Sequence, residues 1–205
     1  MDNETFQPND SYLYPPSPYG IMAEELVDIL DEDGGRIGVK TKREAHTQGL
    51  WHKAIHIWIY NSKGEVLLQK RAMTKSTLPG VWDTSVAGHL SAGESFEDAA
   101  VRELYEELGV SAKSEELKEV VNRKAVYTDP EQGYYNREFV QVYLYGLDEL
   151  PTKLQKEEVD AVRFISIDRL ERELANPGTA KRYAPWDFSE MIKTIRKVHK
   201  EELKV

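Results

Sequence analysis

The sequence predicts an α+β fold, with strands arranged around one central helix and further helices at the end of the chain. Three observations carry this. Ile55, Ile57 and Ile59 alternate with His56, Trp58 and Tyr60, the period of a half-buried strand. Ser95 is followed three residues on by Asp98, a capping-box pattern, and Phe96, Ala100, Leu104 and Leu108 recur at helical spacing before Gly109. After Asp168 the pattern turns helical again, and another helix is expected through about residues 187–202.

The elements follow in order. Residues 1–21 hold Pro8, Pro15, Pro16 and Pro18 among polar and tyrosine residues, and read as an irregular arm. Residues 22–205 read as a single domain. From Glu24 the text is strand, turn, strand, with Gly34-Gly35 at the turn. Asn61-Ser62-Lys63-Gly64 marks a hairpin that returns through Val66-Leu67-Leu68. Pro79-Gly80 breaks the chain before a short strand from Trp82 to Val86. Strands are expected near 118–127, 137–145 and 160–166.

The chain has 205 residues, 40% hydrophobic and 31% charged, enough apolar material for a core. Its net charge of -9 opposes binding of nucleic-acid polymers through their backbone. No run of 18 apolar residues marks a membrane span, and no basic-then-apolar start marks a secretory signal. The absence of cysteine removes disulfides, thiolate metal sites and thiol nucleophiles, and fits a cytoplasmic location.

Residues 88–110 read GHLSAGESFEDAAVRELYEELGV. Glu103 and Glu107 share a helix face and Glu106 flanks it. Like charges so spaced cost an isolated helix roughly 0.2–0.5 kcal/mol per pair. They also lie toward the C-terminal end, where the helix dipole disfavours anions. A hard cation such as magnesium relieves both penalties. Arg102 is placed to pair with Glu94 and fasten loop to helix. Taken alone, a glutamate-rich helix is more often a solvated face than a site.

The stretch resembles the signature of the Nudix hydrolases: Gly88, Glu94, Arg102, Glu103, Leu104, Glu106, Glu107, Gly109 and Val110 match every specified position. With common residues at about 7% each, seven fixed identities coincide by chance well below once in ~100,000 chains. The resemblance implies the Nudix fold, a mixed β-sheet sandwiched between helices (α/β/α). It implies Glu103, Glu106, Glu107 and the carbonyl of Ala87 as ligands of Mg2+ or Mn2+. Gly88, Glu94, Arg102 and Gly109 would be structural. The implied reaction is attack of water on a diphosphate phosphorus.

A wider resemblance joins His46, the run from Leu50 to Arg71, Leu78-Pro79-Gly80-Val81-Trp82, Ser85 to His89 and Ala184 to Ser189 to the Nudix-fold isopentenyl-diphosphate isomerases. It implies a second metal site at His46, His52 and His89, a catalytic role for Glu138, and diphosphate contacts from Arg71 and Lys75. Many relatives are dimers, so a homodimer is expected as well. Three departures stand against isomerisation. Ala87 occupies the place of an essential cysteine, Asn136 that of an acidic ligand, and Glu103 that of an arginine. Without a thiol, one partner of the acid–base pair that moves a double bond is missing.

The sequence therefore points to a metal-dependent hydrolase of a nucleoside diphosphate derivative or similar small molecule, with Glu106 and Glu138 as the competing bases. Isomerase-like activity and a non-catalytic module that binds a phosphorylated ligand are the alternatives. His56 and His199 read as structural, and Trp82 and Trp186 as core or pocket wall.

Overall fold

The computed structural model describes residues 24–202, so the arm expected over residues 1–21 lies outside the described residues. Strands β1 (Leu26–Leu30) and β2 (Arg36–Thr41) form an antiparallel pair, and β1 touches β3 (Trp51–Tyr60) at Leu30–Trp51. Strand β3 runs parallel to β8 (Tyr134–Gly146) along its whole length, and β7 (Lys118–Asp129) closes that edge antiparallel to β8. On its other side β3 pairs with β6 (Val86–His89). A second set is built on β4 (Glu65–Arg71), flanked by β5 (Trp82–Asp83) and β9 (Val159–Ser166). The sheet is mixed, as the resemblance implied.

Helices cover both faces. Helix α2 (Phe96–Leu108) packs on one face, burying Ala100, Leu104 and Leu108 against Ile55, Ile57, Ile59, Leu67 and Val86. On the other face α3 (Ile167–Ala175) and α5 (Ser189–Glu202) place Leu170, Met191, Ile192 and Ile195 against Trp58, Leu68, Val140 and Val142. A single turn, α4 (Pro177–Ala180), links them, with Asn176 as its N-cap and proline in its first position.

Strands β3 and β4 pair only at Tyr60–Val66 and then splay. Ser85 fills the gap: its hydroxyl accepts from the Ile59 N–H at 2.8 Å and donates to the Leu67 carbonyl at 2.6 Å. Ser85→Ala leaves a fully buried donor and acceptor unpaired, and is expected to cost about 1–3 kcal/mol per stranded group. A denaturant midpoint unchanged from that of the parent would refute this role.

Three local details differ from the sequence expectation. Helix α1 (Lys42–Gln48) occupies a stretch assigned no element, because seven residues are too few to show a period. Its signal was a full capping box between Thr41 and Glu44. The strand expected from Trp82 to Val86 is two short strands, parted where Thr84 and Ser85 turn their hydroxyls to neighbouring strands. At α2, Ser95 Oγ accepts from the Asp98 N–H, but the shorter aspartate side chain returns to the Ser95 hydroxyl rather than its backbone.

Candidate functional site

Pairing of β6 with β3 divides the site between the two faces of the sheet. Gly88 lies opposite Ile55 and faces α2, whereas His89 lies opposite Ala54 on the α5 side. Glu103, Glu106 and Glu107 thus gather on one side of β6, and His46, His52, His89 and Glu138 on the other.

On the α2 side, Gly88 makes room for an acid. A Cβ built there would lie 2.1 Å from Glu103 Cδ, so a side chain at 88 displaces the carboxylate. Gly109 ends the helix in a left-handed conformation at φ 65°. Arg102 binds Glu94 through two hydrogen bonds of 2.8 and 2.9 Å. Its remaining donors reach Glu103 at 2.8 Å, Glu106 at 3.0 Å and the His89 carbonyl at 3.0 Å. One guanidinium therefore answers three carboxylates. Burial, reinforced by the Glu106 charge and opposed by Arg102, raises the Glu103 carboxyl to about 7. Glu107 is 4% exposed and receives a hydrogen bond from Gln69 Nε2 at 3.1 Å. Burial first, then the charges of Glu103 and Glu158, push its carboxyl well above the usual range, against the pull of Lys75. Glu106 stands half exposed beside them.

Buried carboxylates short of positive charge are the setting a hard divalent cation fits, and the cradle that glycine leaves at position 88 brings Glu103 against the strand. Sequence reasoning passed over Gln69 and Glu158. No local pattern marks them, and the β4–β9 pairing together with the Gln155 N–H to Glu107 carbonyl bond of 3.0 Å brings them to the acidic helix.

On the other face the ring nitrogens of His46, His52 and His89 offer ligand atoms all within 4.8 Å of one another. His46 comes from α1, His52 from β3 and His89 from the end of β6. His52 Nδ1 meets the Leu50 carbonyl at 2.9 Å, which assigns the proton to Nδ1 and the lone pair to Nε2. The Nε2 atoms of all three rings are buried without a hydrogen-bond partner, as is Asn136 Oδ1. Burial and the neighbouring rings lower His46 to about 3 and His52 to about 4, so both rings are neutral at ordinary pH. Glu138 Oε1 lies 3.0 Å from His89 Nε2, out of line for a hydrogen bond, and 4.0 Å from His52 Nε2. Burial acts to raise Glu138, but the approach of His89, with His56 and His52 beyond it, outweighs this and holds the carboxyl well below its usual range. The orphaned nitrogens fit a cation that accepts imidazole.

Arg71 and Lys75 border the loop 72–81. Arg71 spends Nε and Nη2 on the carbonyls of Thr77 and Leu78 and approaches Asp83 at 3.7 Å. It thereby holds Leu78 in a left-handed conformation at φ 49°, rare for a branched residue. Lys75 pairs with Glu158. Either side chain would exchange a protein partner for a phosphoryl oxygen in order to hold substrate. A cavity of about 420 Å³ opens beside His46 and Tyr134, walled by Lys42, Arg43, Ser76 and Thr77.

A mixed sheet between helices, with an acidic helix packed against a glycine strand end, defines an α/β/α protein of the Nudix type. The family model described as NUDIX domain matches residues 50–186, and the chain belongs to the Nudix family. A Nudix hydrolase of Clostridium acetobutylicum is 40% identical over 161 residues, covering 76% of each chain. The isopentenyl-diphosphate Delta-isomerase of Streptomyces avermitilis is 33% identical over 180 residues, covering 87% of this chain and 85% of that one. Among solved structures, DR0079 of Deinococcus radiodurans superposes with a TM-score of 0.61 at 23% identity, covering 83% of this chain and 99% of that one. Among the described residues, no helix is long and apolar enough to cross a membrane.

Proposed function

We propose that the chain is a metal-dependent hydrolase that cleaves a diphosphate linkage in a nucleoside diphosphate derivative or a similarly small molecule. The observation that carries this is the crowding of Glu103 against Gly88, with Glu107 buried near it and a single guanidinium shared among Glu94, Glu103 and Glu106. Glu103, Glu106 and Glu107, with the Ala87 carbonyl, would hold Mg2+ or Mn2+. Such an ion, when bound, neutralises charge on the diphosphate oxygens and makes water a better nucleophile at neutral pH.

The chain's own residues divide the remaining tasks. Glu106, exposed and tethered to Arg102, is one base within reach of solvent. Glu138, ionised and buried beside His89, is the other. Lys75 supplies a mobile ammonium for the diphosphate once it leaves Glu158, and Arg71 keeps the loop that carries it in place. His46, His52 and His89 would take a second divalent cation, for which three neutral imidazoles favour a borderline metal such as zinc over magnesium. Isomerisation is disfavoured because Ala87 offers no proton where it would need one.

The test is product release from nucleoside diphosphates and triphosphates, sugar nucleotides, dinucleotides and isopentenyl diphosphate, with Mg2+, Mn2+ or chelator. The expected result is cleavage of one group that chelator abolishes, and about one tightly bound equivalent of zinc retained after dialysis. Ligand-induced stabilisation without turnover across the whole panel would instead establish a binding module.

A further inference from the structure

The three carboxylates on the α2 side of β6 are not all held by the same group. Arg102 holds two of them, reaching Glu103 at 2.8 Å and Glu106 at 3.0 Å. It makes no bond to Glu107. Among the described residues one side chain hydrogen-bonds Glu107, the amide of Gln69, whose Nε2 donates to Oε2 at 3.1 Å. That bond leaves Oε1 for another partner.

Gln69 stands in a place that suits an aliphatic residue. It lies on β4 between β5 and β9, two positions along from Leu67 on the face that packs against α2. Val162, its partner on β9, packs into the same apolar cluster. The glutamine is only 3% exposed, and a buried amide costs stability unless it is hydrogen-bonded. Glu107 is the one side chain that it hydrogen-bonds among the described residues.

An ionised carboxylate only accepts hydrogen bonds, so the group that holds it must donate. Glu103 and Glu158 repel Glu107, and Lys75 attracts it but is committed to Glu158. Lysine or arginine in place of Gln69 would bring a positive charge that repels a divalent cation. The amide donates without that charge, fixing one oxygen while the other keeps its attraction for an ion. Partners of this kind orient metal ligands from behind. We propose that Gln69 is the positioning residue for Glu107, doing from β4 what Arg102 does for Glu103 and Glu106. This rests on the reading of Glu107 as a ligand of a divalent cation.

The experiment is titration with Mn2+ alone, followed by electron paramagnetic resonance, of the full-length parent, Glu107→Gln, Gln69→Met and Gln141→Met. The site is defined as the Mn2+ binding that Glu107→Gln removes, which sets aside any ion taken by His46, His52 and His89. Methionine keeps the length of glutamine and loses the donor. Gln69→Met is expected to weaken binding at that site ~10–100-fold, the range for losing an outer partner of a metal ligand. The Mn2+ it still binds at saturation should show a zero-field splitting different from the parent's, because Glu107 is no longer aimed. Gln141 is the matched control, a buried glutamine on β8 that meets Asn122 and the carbonyls of Val121 and Val142. Gln141→Met should match the parent in both affinity and spectrum. Gln69→Leu serves the same comparison if methionine prevents folding. Equal affinity in Gln69→Met and the parent overturns the proposal. So does an equal loss in Gln141→Met, which marks a merely structural effect. A parent without Mn2+ binding that depends on Glu107 sinks the hydrolase reading itself, and the proposal with it.

Discussion

Glu107→Gln is expected to lower turnover by roughly 10²–10⁴-fold, since a metal's stabilisation of transition-state charge amounts to several kcal/mol. The same change should raise the melting temperature of the metal-free protein, and this opposite sign makes the prediction informative. Glu107 is buried beside Glu103, and its hydrogen bond from Gln69 survives in glutamine once the amide oxygen takes that place. Glutamine therefore removes a repelled charge while keeping shape. The pH dependence follows from the same cause. Glu103 is raised from 4.5 to about 7, and Glu107 also lies well above 4.5, so the folded metal-free chain holds protons that the unfolded chain has released. Stability from these groups is fully present below about pH 4.5 and is lost as pH rises through about 7. Unfolding in chelator at pH 5 and pH 8, repeated with Mg2+, measures it. A metal-free protein equally stable at both values, or a Glu107→Gln variant that melts lower in chelator, would count against buried, cation-seeking carboxylates.

The acidic helix was legible in the sequence because its information is local: Ser95, the four-residue recurrence of Ala100, Leu104 and Leu108, and Gly109 lie within one helix. The division of the site between two faces was not, since it depends on the register that sets Gly88 opposite Ile55 and His89 opposite Ala54. The same holds for Glu158, which neighbours Glu107 only through the fold, and for Arg71, whose donors go to loop carbonyls that no composition reveals. Helix α1 went unassigned although Thr41 and Glu44 spelled its start, and with it His46 lacked a local frame.

Arg102→Met should cost about 1–3 kcal/mol of stability, between the ranges for exposed and for fully buried ion pairs, because the side chain is 29% exposed. The guanidinium joins Glu94 in the loop, Glu103 and Glu106 on the helix and the His89 carbonyl at the end of β6. Methionine fills much of the volume but leaves Glu94 and Glu103, whose side chains are 15% and 13% exposed, without a cation. Arg102→Lys should fall between the two, because an ammonium keeps the charge but loses the planar fork that grips both Glu94 oxygens. Saturating Mg2+ is expected to recover only part of the loss. An ion at Glu103 replaces the missing charge there, whereas Glu94 and the His89 carbonyl stay unpaired. Chemical denaturation of the three proteins with and without Mg2+ resolves these shares. A loss below about 1 kcal/mol would place Arg102 with ordinary exposed ion pairs. Full recovery in Mg2+ would mean that its only task is to stand in for the cation, and that the loop from Gly88 to Glu94 is held by other contacts.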